Sequence, residues 1–268
     1  MNENPSVRVI VAAHKQYRMP EDEMYLPLEV GAALRREHTG YQRDDAGENI
    51  SRLNAGFCEL TGLYWAWRNL KDDYIGLAHY RRHFRSPSAG RGDKWARVLK
   101  RRELEIGETR VFVPRARRYY IETLYSHYAH THDARPLDLA REIIRERFPA
   151  YLDSCDRAYG RRSGYMFNMM IMDRDCLNAY CEWLFAILFE MQNRMGETAL
   201  SAFDGRFYGR VSEILLNVWL EEQLRAGKLT RAQIRAIPYI HMEKERYLKK
   251  AGAFLRAKLF GRKYERSF

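Results

Sequence analysis

His79, Arg81, Arg82 and His83 follow directly on the apolar run Tyr74-Ile75-Gly76-Leu77-Ala78. Arginine holds phosphate through paired hydrogen bonds, and ligands of open α/β sheets collect outside the carboxyl ends of strands. If the apolar run is a buried strand, these side chains form the floor of a site for an anion, foremost a nucleotide diphosphate. The competing reading is a strand that runs into a solvated basic loop. A second delivery of polar groups follows Val7-Arg8-Val9-Ile10-Val11-Ala12-Ala13, a β-branched run of central-strand character that ends just before His14 and Lys15.

Other chemistry-bearing residues are more ambiguous. Asp72-Asp73 has the look of an acidic metal clamp, but it precedes its strand and so belongs to the amino end of the sheet, where it reads as turn chemistry. His127, His130 and His132 cluster, yet spacings of three and two do not keep all three on one helix face; exposed or substrate-contacting histidines at a helix end are the alternative to a metal site. No Gly-rich phosphate loop, Gly-x-Gly-x-x-Gly, Gly-x-Ser-x-Gly or His-Glu-x-x-His is present, which argues against common nucleotide hydrolases, dinucleotide enzymes, serine hydrolases and zinc proteases. Fixed cations such as His79, Arg81 and Arg82 can neutralise a diphosphate leaving group without a metal.

The elements that must position these groups alternate. After the first strand comes a polar, turn-rich stretch over residues 35–54. Phe57, Leu60, Leu63, Tyr64 and Trp67 then mark one face of a helix ending near Leu70, and Lys71-Asp72-Asp73 turns into the strand described above. Residues 85–108 read as a long mobile loop, and Thr109–Pro114 as the next strand. Helices are expected from about Ile121 and from about Pro136 to Asp156, then a buried strand over Tyr165–Met172 interrupted by Asn168. Two long helices follow, one lined by Leu177, Tyr180, Leu184, Leu188 and Met191, the other by Val211, Ile214, Leu215, Val218 and Trp219. Ile234–Ile240 forms a last short strand. The pattern predicts one doubly wound α/β domain with an open, mostly parallel sheet.

Bulk properties fit that class. The 268 residues are 46% hydrophobic and 13% aromatic, as in a packed globular chain. No apolar run is long enough to span a bilayer, and the first residues carry no secretory h-region. Cys58, Cys155, Cys176 and Cys181 lack a metal-ligand spacing and are expected to be free thiols in a reducing cytoplasm. The net charge of +11 is concentrated at the end: Lys244–Phe268 holds nine basic residues against two acids, with Leu248, Ala251, Leu255 and Leu259 at helical spacing. We therefore divide the chain into a domain over residues 1–243 and a basic amphipathic tail over 244–268. The tail reads first as an interfacial element for an anionic membrane, equally as a solvated terminal helix, and last as a nucleic-acid contact, for which no recognition motif is present.

Three stretches resemble a family of bacterial capsular and exopolysaccharide glycosyltransferases long catalogued as a domain of unknown function and allied to galactofuranosyltransferases. They are His14-Lys15 after the first strand; Arg43-Asp44-Asp45-x-Gly47-Glu48-Asn49-Ile50-Ser51 followed by Phe57-Cys58-Glu59-Leu60-Thr61-Gly62-Leu63-Tyr64-Trp65-Ala66-Trp67; and Gly76-Leu77-Ala78-His79-Tyr80-Arg81-Arg82-His83-Phe84. Met166–Met169 and Ser212–Trp219 extend the likeness, which spans roughly residues 7–243 and leaves the tail unexplained.

The resemblance implies a GT-A-like fold, a single α/β/α sandwich, and transfer of a hexose, galactofuranose among the candidates, from a nucleotide-sugar donor. The acceptor would be a growing capsular, O-antigen or exopolysaccharide chain, lipid-linked or oligosaccharide, and transfer would proceed with inversion. The enzyme would work in the cytoplasm, peripherally on the inner face of the membrane, with no firmly implied cofactor, no required metal and no nucleic-acid partner. The alternative is a non-catalytic nucleotide-binding or scaffold module of a polysaccharide-synthesis complex. On that fold His14, Lys15, Arg43, Asp44, Asp45, Asn49, His79, Arg81 and Arg82 become donor-binding candidates, although Asp44, Asp45 and Asn49 would equally serve Asx turns. Glu59, Tyr64 and Asn168 become acceptor or sugar contacts; Glu59 needs a partner if it lies near the core, and Arg81 or Arg82 could be that partner. Glu213, near the start of a late helix, becomes the general base, with Asp204 as its rival and a helix-dipole contact as the structural alternative.

Overall fold

The structure, a computed structural model, describes residues 5–196 and 206–243. Asp204 and the tail over 244–268 lie outside the described residues. In chain order the strands and helices are β1 (Val7–Ala13), β2 (Tyr25–Glu29), β3 (Gln42–Arg43), α1 (Asn54–Phe57), α2 (Leu60–Asn69), β4 (Tyr74–His79), β5 (Arg82–Phe84), β6 (Val111–Pro114) and β7 (Arg117–Arg118). They continue with α3 (Leu124–Thr131), α4 (Arg135–Arg147), α5 (Leu152–Gly160), β8 (Ser163–Gly164), β9 (Met170–Asp173), α6 (Arg174–Met195), α7 (Phe207–Arg225), β10 (Ile234–Ile237) and β11 (Tyr239–His241).

The main sheet runs β10-β6-β9-β4-β1-β2-β3, and β9 alone in that row is antiparallel to both of its neighbours. The remaining pairs along the row are parallel, as the alternating strand–helix pattern predicts. β5 folds back from β4 at His79↔Arg82 and pairs with β11, while β7 and β8 make a separate two-stranded ribbon.

Both faces of the sheet are covered, which is why β1 reads as an unbroken apolar run rather than an alternating one. Ile10 and Ala12 belong to the core shared with α2 and α4–α7, together with Leu28, Leu77, Leu184, Leu215 and Trp219. Val7, Val9 and Val11 face the other way, against Tyr25, Phe84, Val98, Leu99, Leu104 and Phe112. Segment 85–108, which the sequence presents as a mobile loop, is therefore a packed covering layer. Its two 3-10 turns, Trp95–Arg97 and Arg101–Glu103, carry Val98, Leu99 and Leu104 into the core. Tyr25 donates its hydroxyl to the Leu99 carbonyl at 2.8 Å, and Arg101 reaches the Pro5 carbonyl at 2.9 Å. Its high charge hid three apolar anchors.

Four other boundaries differ from expectation. The helix expected over 136–156 breaks at Phe148, because Pro149 lacks an N–H and drives its predecessor out of helical geometry. The strand expected over 165–172 begins only at Met170; Phe167 and Asn168 adopt left-handed φ values of 75° and 53°. Helix α7 starts at Phe207, so Glu213 lies in its second turn rather than at its mouth. Pro238 divides the last strand into β10 and β11, which pair with different partners.

Asp44 is the hub that fixes the turn-rich stretch. One carboxylate oxygen accepts from the Ala32 amide at 3.0 Å and the Ser51 hydroxyl, the other from the Gly31 amide at 2.9 Å and the Thr61 hydroxyl at 2.7 Å. It is fully buried. Asp44→Ala strands those donors and is expected to cost about 3 kcal/mol, lowering the melting temperature by roughly 6–12 °C for a domain of this size. The neighbouring exposed Arg43→Ala is expected to stay within about 0.5 kcal/mol of the parent. Thermal denaturation of both variants checks this, and an unaltered melting point for Asp44→Ala would remove the hub.

Candidate functional site

The order of the sheet reverses at β1 and β4. From β1 the chain goes to β2 and β3 on one side, whereas β4 lies on the other and leads toward β9. Such a reversal opens a crevice outside the carboxyl ends of the two strands, because their following connections leave in opposite directions. His14 and Lys15 leave β1 there, and Tyr80 and Arg81 follow β4, with the Tyr80 amide bonded to the Ala12 carbonyl at 3.2 Å.

These residues form a stack. The Tyr17 and Tyr80 rings lie face to face with centroids 3.8 Å apart; the Lys15 ammonium sits 5.0 Å from the Tyr17 centroid and the Arg81 guanidinium 5.1 Å from that of Tyr80. The His14 ring meets Tyr80 edge-on at 5.1 Å. Partial burial, and then the charges of Arg35, Lys15, Arg81 and Arg206, hold the His14 pKa below its ordinary value. Four cations thus gather around one imidazole. The structure brings His14, Lys15 and Arg81 together as the sequence suggests, and adds Tyr17, Arg35, Tyr80 and Arg206. Arg35 is positioned by a 2.7 Å bond to the His14 carbonyl. Only proximity in the fold reveals Arg35 and Arg206, since neither sits in a motif. The chain also returns here at its last described residues: Arg81 pairs with Glu243 at 3.6 Å, and its carbonyl accepts from the Met242 amide at 2.9 Å.

His79 and Arg82 do not join that cluster. They oppose each other across the β4–β5 turn and face the loop before β9. His79 donates Nε2–H to the Phe167 carbonyl at 2.6 Å, and its pKa is lowered mainly by burial. The Arg82 guanidinium lies 4.4 Å from the Phe167 ring centroid, with His241 at 3.3 Å. His83 is buried beside Tyr25 and Trp95, and burial pushes its pKa down to about 4. The expected row of cationic donors is therefore split by the strand turn: Arg81 goes to the crevice, while His79 and Arg82 support the adjacent wall.

That wall carries the acids. Asn168, fully buried, donates to a Glu59 carboxylate oxygen at 2.7 Å and to the Gly209 carbonyl at 2.8 Å, and accepts from the Ser212 hydroxyl at 2.8 Å. Glu59, at the head of α2, is thus partnered by Asn168 rather than by Arg81 or Arg82. Glu213 stands next to Ser212 on α7, half-buried on the wall. Desolvation and then the neighbouring Glu59 carboxylate push its pKa up to about 7, against a hydrogen bond from the Phe167 backbone and the charges of Arg82 and Arg117. Arg206 links the two halves: its field reaches His14 on one side and Glu59 on the other, and its Nε bonds the Cys58 sulfur at 3.2 Å.

Several candidates lie elsewhere. Asp44 has both oxygens occupied inside the fold and presents nothing to a ligand. Arg43 and Asp45 form an exposed ion pair at β3, two strands and so about 10 Å from β1. There, with Tyr41, Gln42 and Ala46, they line a separate surface depression. Asn49 bonds the Asp45 and Gly47 carbonyls, which is turn chemistry. Tyr64 is packed on Trp67, Phe185 and Phe189 with its hydroxyl on Glu48, away from the crevice. Asp73 ties the amino edge of the sheet by accepting from Ser6. His127 and His130 both donate Nδ1–H to Glu122 at 2.7 Å. Among the described residues no three or more His, Cys, Asp or Glu side chains gather as metal ligands would.

A cationic crevice floor beside a carboxylate of near-neutral pKa can bind a phosphorylated ligand and accept a proton from a hydroxyl next to it. No curated protein matches this chain. A solved structure described as the WbbM bifunctional glycosyltransferase in its apo form is similar to it, with 25% identity and a TM-score of 0.79. That match covers 90% of this chain but 46% of the other, so the chain spans about half the length of that protein. The likeness accords with the GT-A-like architecture, a mixed α/β fold about a largely parallel sheet. A family model, domain of unknown function DUF4422, matches residues 8–224, and the chain belongs to that family.

Proposed function

We propose that the chain is a glycosyltransferase that moves a sugar from a nucleotide-sugar donor to a hydroxyl of a glycan acceptor with inversion. The observation that carries this reading is a cluster of four cations (Lys15, Arg35, Arg81 and Arg206) around His14, coupled through Arg206 and Glu59 to a sheltered carboxylate, Glu213. The cations would hold the donor diphosphate and neutralise the charge that develops as it leaves. Glu213 would take the proton of the acceptor hydroxyl as its oxygen attacks the anomeric carbon from the opposite side. Mere nucleotide binding, as in a scaffold module, has no use for a carboxylate held near neutral pKa, and this favours catalysis. The similarity to the WbbM glycosyltransferase supports the same class. We further propose a hexose donor, galactofuranose included, and a lipid-linked or oligosaccharide acceptor in capsular, O-antigen or exopolysaccharide assembly. Residues 244–268 would rest on an anionic membrane.

A thermal-shift panel of nucleotide sugars, with and without chelator, tests the donor side, since a ligand of the folded state raises its melting point. Stabilisation by at least one nucleotide sugar, diminished in Lys15→Ala and Arg81→Ala, is expected. No stabilisation by any would sink the donor site.

Glu213→Gln is expected to lower donor-dependent transfer by about 10²–10⁴-fold while leaving nucleotide-sugar binding intact. A retained turnover number in that variant would assign the base elsewhere.

Protonated Glu213 cannot act as a base, so kcat/KM should fall as pH drops through about 7. Removing the repulsion with Glu59→Gln should move that limb to lower pH. The same shift has a stability counterpart. The folded chain keeps the Glu213 proton up to about 7, whereas the unfolded chain loses it near the ordinary carboxylate value of 4.5. Wild-type stability therefore declines as pH rises between those values. The melting temperature of Glu213→Gln relative to wild type should accordingly be higher at pH 8 than at pH 5. Paired melts at the two pH values check the sign.

A further inference from the structure

We propose that the β7–β8 ribbon, with Tyr120 and Ile121 at its end, is a docking surface for an anionic phospholipid membrane. Three large apolar side chains stand exposed among the described residues, and two of them are these neighbours, Tyr120 at 85% and Ile121 at 71%. Around them Arg115, Arg117, Arg118 and Arg162 are all exposed. None of these four arginines is ion-paired with a described carboxylate, although most other arginines of the surface are, from Arg43–Asp45 to Arg235–Glu105. An uncompensated basic patch with an amphipathic aromatic and a branched aliphatic at its tip matches the headgroup region of an anionic leaflet. Arginine meets phosphate there, and a tyrosine ring sits between water and hydrocarbon.

The patch is also held rigidly. Arg117 and Arg118 pair with Gly164 and Ser163, and the Tyr119 amide bonds the Arg162 carbonyl at 2.7 Å. Buried Tyr119 anchors the segment from below against His127, with Arg117 over its ring. Ordering on binding therefore costs little. Two apolar side chains are too few for a stable protein interface, which buries roughly 800 Å² per partner. At a membrane, by contrast, each arginine and each inserted side chain adds to a shared affinity. The ribbon borders the acid wall, since the Arg117 charge acts on Glu213. Docking there would turn that side of the crevice toward the bilayer. This surface is separate from the basic segment over 244–268, and it stands whether or not sugar transfer is the chemistry.

The test is co-sedimentation of the full chain with phosphatidylcholine vesicles made with and without phosphatidylglycerol. Binding to the phosphatidylglycerol vesicles is expected. It should fall roughly a hundredfold when Arg115, Arg118 and Arg162 are all changed to Gln, and fall measurably in Tyr120→Ser/Ile121→Ser. Circular dichroism melts should match wild type, because all five side chains are exposed. Wild-type binding that neither variant weakens would assign membrane contact to residues 244–268 and overturn the proposal, as would absence of wild-type binding. Loss with the arginine variant alone, together with equally tight binding of soluble polyphosphate, would make the ribbon a polyanion site and also overturn it.

Discussion

The arrangement depends on one buried amide. Asn168 occupies a left-handed backbone position that most side chains resist, and its three hydrogen bonds join the head of α2, the turn before β9 and the first two turns of α7. Those segments are distant in sequence. A buried amide is costly unless satisfied, and here satisfaction requires all three segments to be in register at once. The constraint holds Glu59 within electrostatic reach of Glu213, whose pKa is raised first by its burial and then by that neighbouring carboxylate. A structural need and a chemical property thus have the same origin.

Electrostatics divides the crevice. Positive charge collects on the solvent-facing exits of β1 and β4, where hydration makes it tolerable, and the carboxylates lie on the drier wall behind them. Coulombic coupling across the gap is moderated by Arg206, a cation that acts on both sides. Exposed cations are suited to catching and releasing a phosphorylated ligand. A carboxylate that is sheltered from water keeps its raised pKa and its orientation.

Much of this was legible in the sequence. The β-branched run at residues 7–13 and the run before His79 announced two central strands. Their exits announced the basic cluster, because an unbroken apolar run closed by cations is a buried strand reaching a solvated end. Glu213 was legible only as an acid near the start of a helix. What escaped were contacts that depend on tertiary proximity: Arg35 and Arg206 approaching His14, and the pairing of Glu59 with Asn168 rather than an arginine. The β4–β5 turn also separates residues that sequence places together, so Arg81 and Arg82 diverge. Asp44 was indistinguishable from a donor-binding carboxylate until the four groups that bond it were visible. Segment 85–108 looked unstructured because its charges outnumber the few apolar side chains that hold it down.

The end of the described chain has a geometric consequence. Glu243 and the Met242 amide are fastened to Arg81, and Lys94 bonds the carbonyls of His241 and Met242 at 2.7 and 3.2 Å. The described chain consequently ends at the rim of the crevice, and an anion arriving there must share the Arg81 guanidinium with the Glu243 carboxylate or displace it.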